Sequence, residues 1–276
     1  ITGTKIGEWE RDKLCRFALL AGDEEPFVWD FGSAAVHHQL NCDWLDPNRC
    51  LAGMTGMRGT VPPSVGLMKS HAEEIMSYLK QAGVADMPIG LDIAETAMFF
   101  ELQNAGMNIV DGQQVMLDAR EIKNIDEITL LNQAATMVDG VYHMIYEELK
   151  PGVRENDIVA LSNQMLYEMG SDDVEAINAI SGERCSPHPH NFTDRMFRPG
   201  DQAFFDILQS YQGYRTCYYR TFNVGTATSE QNDAYIQCRE WLDKAIELIK
   251  PGVSTDVVAK AWPKAEEFGF ESEMQA

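Results

Sequence analysis

The chain has 276 residues, 45% hydrophobic and 9% aromatic, enough for one large core or two smaller ones. Its formal net charge is −21, from 43 acidic against 22 basic side chains. Such a balance repels phosphate backbones and anionic bilayers, so no nucleic-acid or membrane partner is expected, and a zwitterionic or cationic small molecule suits it better.

In chain order, Phe27-Val-Trp-Asp30 and His37-His38 follow no clear period, and Asp43–Thr60, with its Pro and Gly residues, reads as loop. From Val61 to Arg120 the pattern alternates. Leu67–Leu79 is predicted helical, Pro88–Ile93 a short strand, Ala94–Ala105 helical and Met107–Val110 a strand, with Gly83 and Gly106 where the helices should stop. That alternation marks an α/β layer. A boundary is expected near Leu117–Asn124.

Beyond it, Asp126–Leu149 carries the strongest helical signal. Ile128, Leu131, Ala135, Val138, Tyr142, Ile145 and Leu149 form one apolar stripe, and Asn124 or Asp126 can cap its start. Further helices are predicted at Asn156–Met169, Gln231–Ile249 and Ser254–Phe268. Lys150-Pro-Gly-Val153 recurs as Lys250-Pro-Gly-Val253, each copy closing one helix and leading to another, which fits a duplicated unit or a common helix stop.

Between these helices, Ala203–Phe222 reads as a β-hairpin. A turn at Tyr211-Gln212, relaxed by Gly213, makes facing positions sum to 423, so Asp206 opposes Cys217. Both then point to one face, kept dry by Phe204 and Leu208. Upstream, Ser186-Pro-His-Pro-His190 is a rigid polar loop; His188 or His190 is a candidate general acid or base, while Cys185, His188 and His190 match no standard metal spacing. The six cysteines (15, 42, 50, 185, 217, 238) contain no CxxC pair, which argues for reduced, mostly buried thiols and a cytoplasmic protein. The first residues lack a signal-peptide pattern, and no apolar run reaches the ~20 residues that span a bilayer.

Three stretches carry a family resemblance: Arg120-Glu-Ile-Lys-Asn-Ile-Asp-Glu-Ile128, the histidine loop ending in Arg198-Pro-Gly-Asp201, and the hairpin. In the hairpin, Asp206, Gly213, Tyr214, Arg220, Thr221 and Phe222 all fall on one spaced pattern. The chain thus resembles the creatinase, prolidase and aminopeptidase P group, the M24 metallopeptidase-like enzymes of pita-bread fold. The resemblance implies an α/β N-terminal domain over residues 1–117. It also implies the first part of an α+β pita-bread catalytic domain over 118–276, incomplete at the C-terminus.

The family's metal enzymes hold two divalent ions with two Asp, one His and two Glu. Asp206 matches the first Asp, Cys217 stands in place of the bridging one, Leu208 replaces a common Gly, and the other three ligands would lie past residue 276. A single soft sulfur bridges two ions poorly, so the expected cofactor is none or a divalent metal such as zinc, iron or manganese. The family includes metal-free creatinase, which uses a histidine on the matching loop.

The resemblance therefore implies a hydrolase of a carbon–nitrogen bond in a small zwitterionic amide or amidine, or in an Xaa-Pro-like dipeptide. His188 and His190 would supply acid–base chemistry, Asp206 would orient substrate or water, and Tyr214 and Arg220 would bind substrate. The alternatives are a mononuclear metal peptidase or dimethylsulfoniopropionate-type lyase holding its ion through Asp206 and Cys217, and an inactive binding module. A homodimer is also implied, and in it His37 or His38 would line a shared pocket unless both are simply exposed.

Overall fold

The computed structural model describes residues 16–54 and 61–275. Two compact units emerge, one made of Ile1–His143, Leu161–Ile177 and Asp206–Tyr218, the other of Met144–Ala160, Asn178–Phe205 and Tyr219–Ala276.

The first unit opens with β1 (Phe17–Leu19), β2 (Phe27–Asp30), α1 (Ser33–Asn41) and β3 (Cys50–Ala52). β1 pairs antiparallel to β2, and β2 pairs parallel to β3. The loop expected over Asp43–Thr60 is therefore interrupted by a strand, and its residues 55–60 lie outside the described residues. Three residues are too few to show a period of two, so β3 has no signature in the sequence. Trp29 on β2 is fully buried, stacks on Phe17 with ring centroids 4.6 Å apart, and donates its indole N–H to Glu74 at 3.1 Å.

The predicted alternation follows as α2 (Leu67–Gln81), β4 (Ile89–Leu91), α3 (Thr96–Asn104) and β5 (Ile109–Asp111), then α4 (Gln113–Glu121). β4 and β5 run parallel. Met68, Ala72, Ile75, Met76 and Leu79 form the buried stripe of α2 and join Trp29, Met98 and Leu102 in one core. Gly83 and Gly106 sit just past their helices with φ of 72° and 94°, the left-handed conformation that glycine supplies without steric cost.

Gly112 is needed for a different reason. A Cβ there would stand 2.6 Å from the carbonyl carbon of Gly90 and 2.8 Å from the amide nitrogen of Leu91, both backbone atoms that cannot move aside. Gly112→Ala is expected to lower the stability of the protein by about 1–3 kcal/mol, read as a shift in urea midpoint.

α5 (Ile125–Glu148) fits the strongest helical signal. Asn124 caps it: its Oδ1 accepts from the amides of Asp126 and Glu127 at 2.9 and 3.0 Å, while Glu127 accepts from the Asn124 amide at 2.7 Å. This reciprocal box satisfies three of the amide donors that the helix start leaves unpaired. α6 (Glu155–Glu168) follows, then the three-stranded sheet β6 (Asp173–Ser181), β7 (Gln202–Tyr211) and β8 (Tyr214–Asn223), in that spatial order.

α7 (Ser229–Leu248) starts at Thr228, which forms a capping box with Gln231. The two Lys-Pro-Gly-Val segments adopt the same turn, with Gly152 and Gly252 at φ 93° and 84° and Val153 and Val253 donating to Lys150 and Lys250. The helix predicted over Ser254–Phe268 is not continuous. α8 covers only Thr255–Ala259 and a 3-10 turn covers Ala265–Phe268. Pro263 lies between them; it lacks an amide donor and disfavours helical backbone at Trp262. Among the described residues no helix is long and apolar enough to cross a membrane.

Candidate functional site

The hairpin turn lies one residue later than its sequence pattern suggests. Gln212 and Gly213 are the two loop residues, with φ of 52° and 81°, the positive values of a type I′ turn. Tyr211 then opposes Tyr214 and the facing pairs sum to 425, which puts Leu208 opposite Cys217 and Asp206 one diagonal step away. A change of two in the sum preserves parity, so every side chain keeps its face.

One face of the hairpin packs on α5. Gln209, fully buried, donates to the Ala134 carbonyl at 2.9 Å; Tyr218 donates to Ala135 and Asp139; Tyr142 donates to the Tyr218 carbonyl at 2.6 Å; and Tyr214 donates to Glu127 at 3.1 Å. Asp206 and Cys217 belong to the opposite face. The Cys217 thiol donates to Asp206 Oδ1 at 3.2 Å, and Asp206 is 2% exposed. Cys217 is exposed over the residue as a whole. Loss of water around the sulfur, then the hydrogen bond to Asp206 and its charge, then Glu175, push the thiol up to about 11. Glu175 itself pairs with Arg215 at 2.5 Å.

At neutral pH Cys217 is therefore a thiol that donates a hydrogen bond to Asp206. A bound ion would have to displace that proton, and the thiolate then offers one soft sulfur where a carboxylate offers two oxygens. Among the described residues, no group of three or more His, Cys, Asp or Glu is arranged to hold an ion. The donors present do not by themselves fit a dinuclear metal pair. Alkylation of Cys217 by iodoacetamide is expected to lag behind that of Cys238, also exposed, at pH 7.5 and to rise as pH approaches about 11. Peptide-resolved mass spectrometry would read both rates.

The histidine loop belongs to the second unit. It opens with a 3-10 turn at Gly182–Cys185 and a cis Ser186–Pro187 bond. His188 and His190 are both exposed, with ring centroids 4.7 Å apart, and His188 meets Phe204 edge-on at 5.1 Å. Cys185 does not extend this pair: its Sγ lies 3.4 Å from the Gln202 carbonyl, and burial first, then the charge of Glu155, push it up to about 11. Arg220 is exposed and donates to the Tyr219 carbonyl at 2.8 Å.

What anchors the loop was not visible in the sequence. Glu155, at the start of α6, has no exposed surface. It accepts from Ser181 at 2.7 Å, from the Thr193 amide and hydroxyl at 2.9 and 2.8 Å, and from Arg184. Arg195 ties the same stretch to Asp201 at 2.6 Å and Glu183 at 2.8 Å. Both ends of the histidine loop are thus fixed by buried or half-buried charge. The only sequence signal is the repeat itself: the Lys-Pro-Gly-Val copies are followed by Arg154-Glu155 in one and Ser254-Thr255 in the other.

The two adjacent histidines of α1 are not equivalent. His37 is exposed beside Asn41, whereas His38 is 6% exposed and paired with Asp30 at 2.6 Å, so His38 does not line an open surface. The cysteines also divide, with Cys42 and Cys50 buried, Cys185 intermediate, and Cys217 and Cys238 exposed.

The profile of Metallopeptidase family M24 matches residues 129–274, more than half of the chain. The chain belongs to metallopeptidase family M24. Within it, the "Probable dipeptidase PepE" of Mycobacterium tuberculosis is 26% identical over 231 residues, 83% of this chain and 56% of that protein. An "Xaa-Pro dipeptidase" of Pyrococcus horikoshii is 28% identical over 141 residues, 51% of this chain and 40% of the relative. The solved structure of an Xaa-Pro dipeptidase from Bacillus anthracis superposes with a TM-score of 0.72 at 18% identity, over 89% of this chain and 65% of that one. This M24 chain therefore has the pita-bread fold, and it spans about half the length of the curated relatives it matches.

Proposed function

We propose that the protein is an M24 hydrolase that cleaves a carbon–nitrogen bond in a small zwitterion, with Xaa-Pro-like dipeptides as the first substrate class and small amides or amidines as the second. The observation that carries this is the hairpin: Asp206 is buried on its open face, at the spacing from Gly213-Tyr214 and Arg220-Thr221-Phe222 that the resemblance rests on. Dipeptidase relatives support the substrate class.

In this reading His188, with His190 beside it, moves the proton, and Asp206 orients the substrate cation or the attacking water. Arg220 binds the substrate carboxylate. Tyr214 shapes the pocket through the hairpin it ties to Glu127. Residues 1–117 form the N-terminal domain and 118–276 the first part of the catalytic domain, in a cytoplasmic homodimer. Any metal would be held by Asp206 with ligands from the rest of the protein; it would supply Lewis-acid activation of the bond to be cut.

A metal-free route is the second reading, motivated by Cys217, a single sulfur, at the position where the resemblance expects a bridging Asp. The test is hydrolysis by the full-length protein of an Xaa-Pro dipeptide panel and of creatine- and ectoine-like zwitterions, with chelator and with added zinc, iron or manganese. Turnover that survives chelation and falls about a hundredfold or more in His188→Ala supports the histidine route. Turnover restored only by metal assigns the chemistry to the ion. No turnover of any substrate overturns the hydrolase reading and leaves a binding module.

A further inference from the structure

A second set of chemical groups lies in the N-terminal α/β part, remote in sequence from the hairpin and unused by the reading above. Asp30 ends β2, His38 lies on α1, and Cys42 follows the last residue of α1; they are 3%, 6% and 8% exposed. His38 and Cys42 are four residues apart, which puts both on one side of the helix. His38 Nε2 lies 2.6 Å from Asp30 Oδ2, and Cys42 Sγ lies 3.6 Å from His38 Nδ1.

The partners of Asp30 fix the proton positions. Its Oδ2 accepts from Arg16 Nε at 2.9 Å and Nη2 at 2.5 Å, and its Oδ1 accepts from the Phe31 amide at 2.7 Å. Burial alone would raise this carboxyl, but the hydrogen bonds from His38, Arg16 and Phe31 outweigh it and hold it below the usual range. His38 Nε2 faces both the Asp30 carboxylate at 2.6 Å and the Arg16 Nη2 donor at 3.4 Å, and the contact to Asp30 is much the shorter. An ionised Asp30 can only accept, so Nε2 carries a hydrogen, and in the neutral ring Nδ1 is the acceptor aimed at Cys42. The two ring nitrogens point in opposite directions, so the three side chains form a line and not a cage for an ion.

Thiol, imidazole and carboxylate in that order are the arrangement that activates a cysteine nucleophile. A second thiol is at hand: Cys50 shares a buried cluster with Cys42, Val28 and Leu45. Its Sγ donates to the Asp46 carbonyl at 3.6 Å, and burial keeps it protonated.

We propose that Cys42 is a base-activated, peroxide-sensitive thiol, with His38 as proton acceptor, Asp30 as the residue that orients His38, and Cys50 as the resolving thiol. In the first step His38 Nδ1 takes the Cys42 proton, and the sulfur attacks one oxygen of hydrogen peroxide. A sulfur–oxygen bond forms, the oxygen–oxygen bond breaks, and the departing hydroxide leaves as water with the proton from His38. Cys42 is oxidised to a sulfenic acid and the peroxide is reduced. Next the Cys50 sulfur attacks the sulfenic sulfur, a disulfide forms, the sulfur–oxygen bond breaks, and the hydroxyl departs as water with the Cys50 proton.

The test uses the reduced full-length protein, pulsed with hydrogen peroxide, quenched, and mapped by peptide mass spectrometry. Cys42 is expected to oxidise about tenfold or more faster than Cys238, although Cys238 is the more exposed, and to appear as a Cys42–Cys50 disulfide. In Cys50→Ser the product becomes a sulfenic acid trapped by dimedone. His38→Gln and Asp30→Asn should each remove most of the rate advantage, with circular dichroism confirming that the variants fold. The proposal is overturned if Cys42 reacts no faster than Cys238 in the unaltered protein, a comparison that needs no variant. It is equally overturned if folded His38→Gln keeps the full rate.

Discussion

Glu155→Ala is expected to lower stability by about 3–5 kcal/mol, a large share of the 5–15 kcal/mol that holds a domain folded. The carboxylate has no exposed surface and accepts four hydrogen bonds, from Ser181, Arg184 and both polar groups of Thr193. Its removal takes away the buried counter-charge of Arg184, which keeps Thr193 Oγ1 and Asn191 as partners, and leaves the Thr193 amide without an acceptor. Glu155→Gln keeps the volume but replaces an acceptor with an NH₂ group among donors, so it should recover little of the loss.

Two measurements check this. The first is the urea midpoint, and the second is hydrogen exchange over residues 182–201, which should speed up in both variants while exchange in α2 is unchanged. A loss under about 1 kcal/mol in Glu155→Ala would mean that water satisfies Arg184 and that the carboxylate does not anchor the loop. The same network bears on function. His188 and His190 stand at the tip of a segment held by Glu155 at one end and by Arg195 and Asp201 at the other. A general acid or base must keep its place to be useful, and here the sequence devotes buried charge to the frame and leaves the histidines themselves open.

The parts of the molecule that were legible in the sequence are those governed by local rules. α5 was legible because its apolar residues recur at helical spacing, although only Val138, Tyr142 and Ile145 of the predicted stripe are buried and Ala134, Met137 and Val141 complete the packed side. Its Asn124 cap was legible because capping is a four-residue pattern. The face shared by Asp206 and Cys217 was legible even though the turn was placed one residue early, since strand parity survives a paired shift. β3 was hidden by its length, and the end of α8 was obscured by helical periodicity that continues past Pro263.

Long-range pairings were beyond local reading. Ser181 and Thr193 reach Glu155 across 26 and 38 residues, and no spacing rule predicts such a meeting. His38 posed a related problem. The pair His37-His38 looks uniform in the sequence, and only the position of Asp30 on β2 makes one ring buried and directional while the other stays in solvent.

Cys217→Asp is the second substitution with a large expected effect, and its size depends on pH. In the native protein the thiol donates a hydrogen bond to Asp206 at 3.2 Å, a contact without charge repulsion. An aspartate there sets two carboxylates within reach of each other on a face where Asp206 is 2% exposed. Like charges at that range cannot both ionise freely, so one of the pair should titrate about 1–2 pH units above its unfolded value. A carboxyl group whose pKa is raised by folding binds its proton more tightly in the native state. The variant should therefore match Cys217→Ser below about pH 3, where the carboxyl is protonated in both the folded and unfolded states. It should lose stability as pH rises through the raised pKa and level off about 1.4–2.8 kcal/mol lower at neutral pH. Urea midpoints of the two variants, compared at each pH so that the general effect of net charge cancels, give the difference directly. Manganese added at pH 7.5 should restore part of the loss in Cys217→Asp and none in Cys217→Ser, because a cation can replace the shared proton between two carboxylates but gains nothing beside a hydroxyl. A difference that stays constant from pH 4 to pH 8 would show that the two side chains point apart, and that position 217 is not the second half of a carboxylate pair.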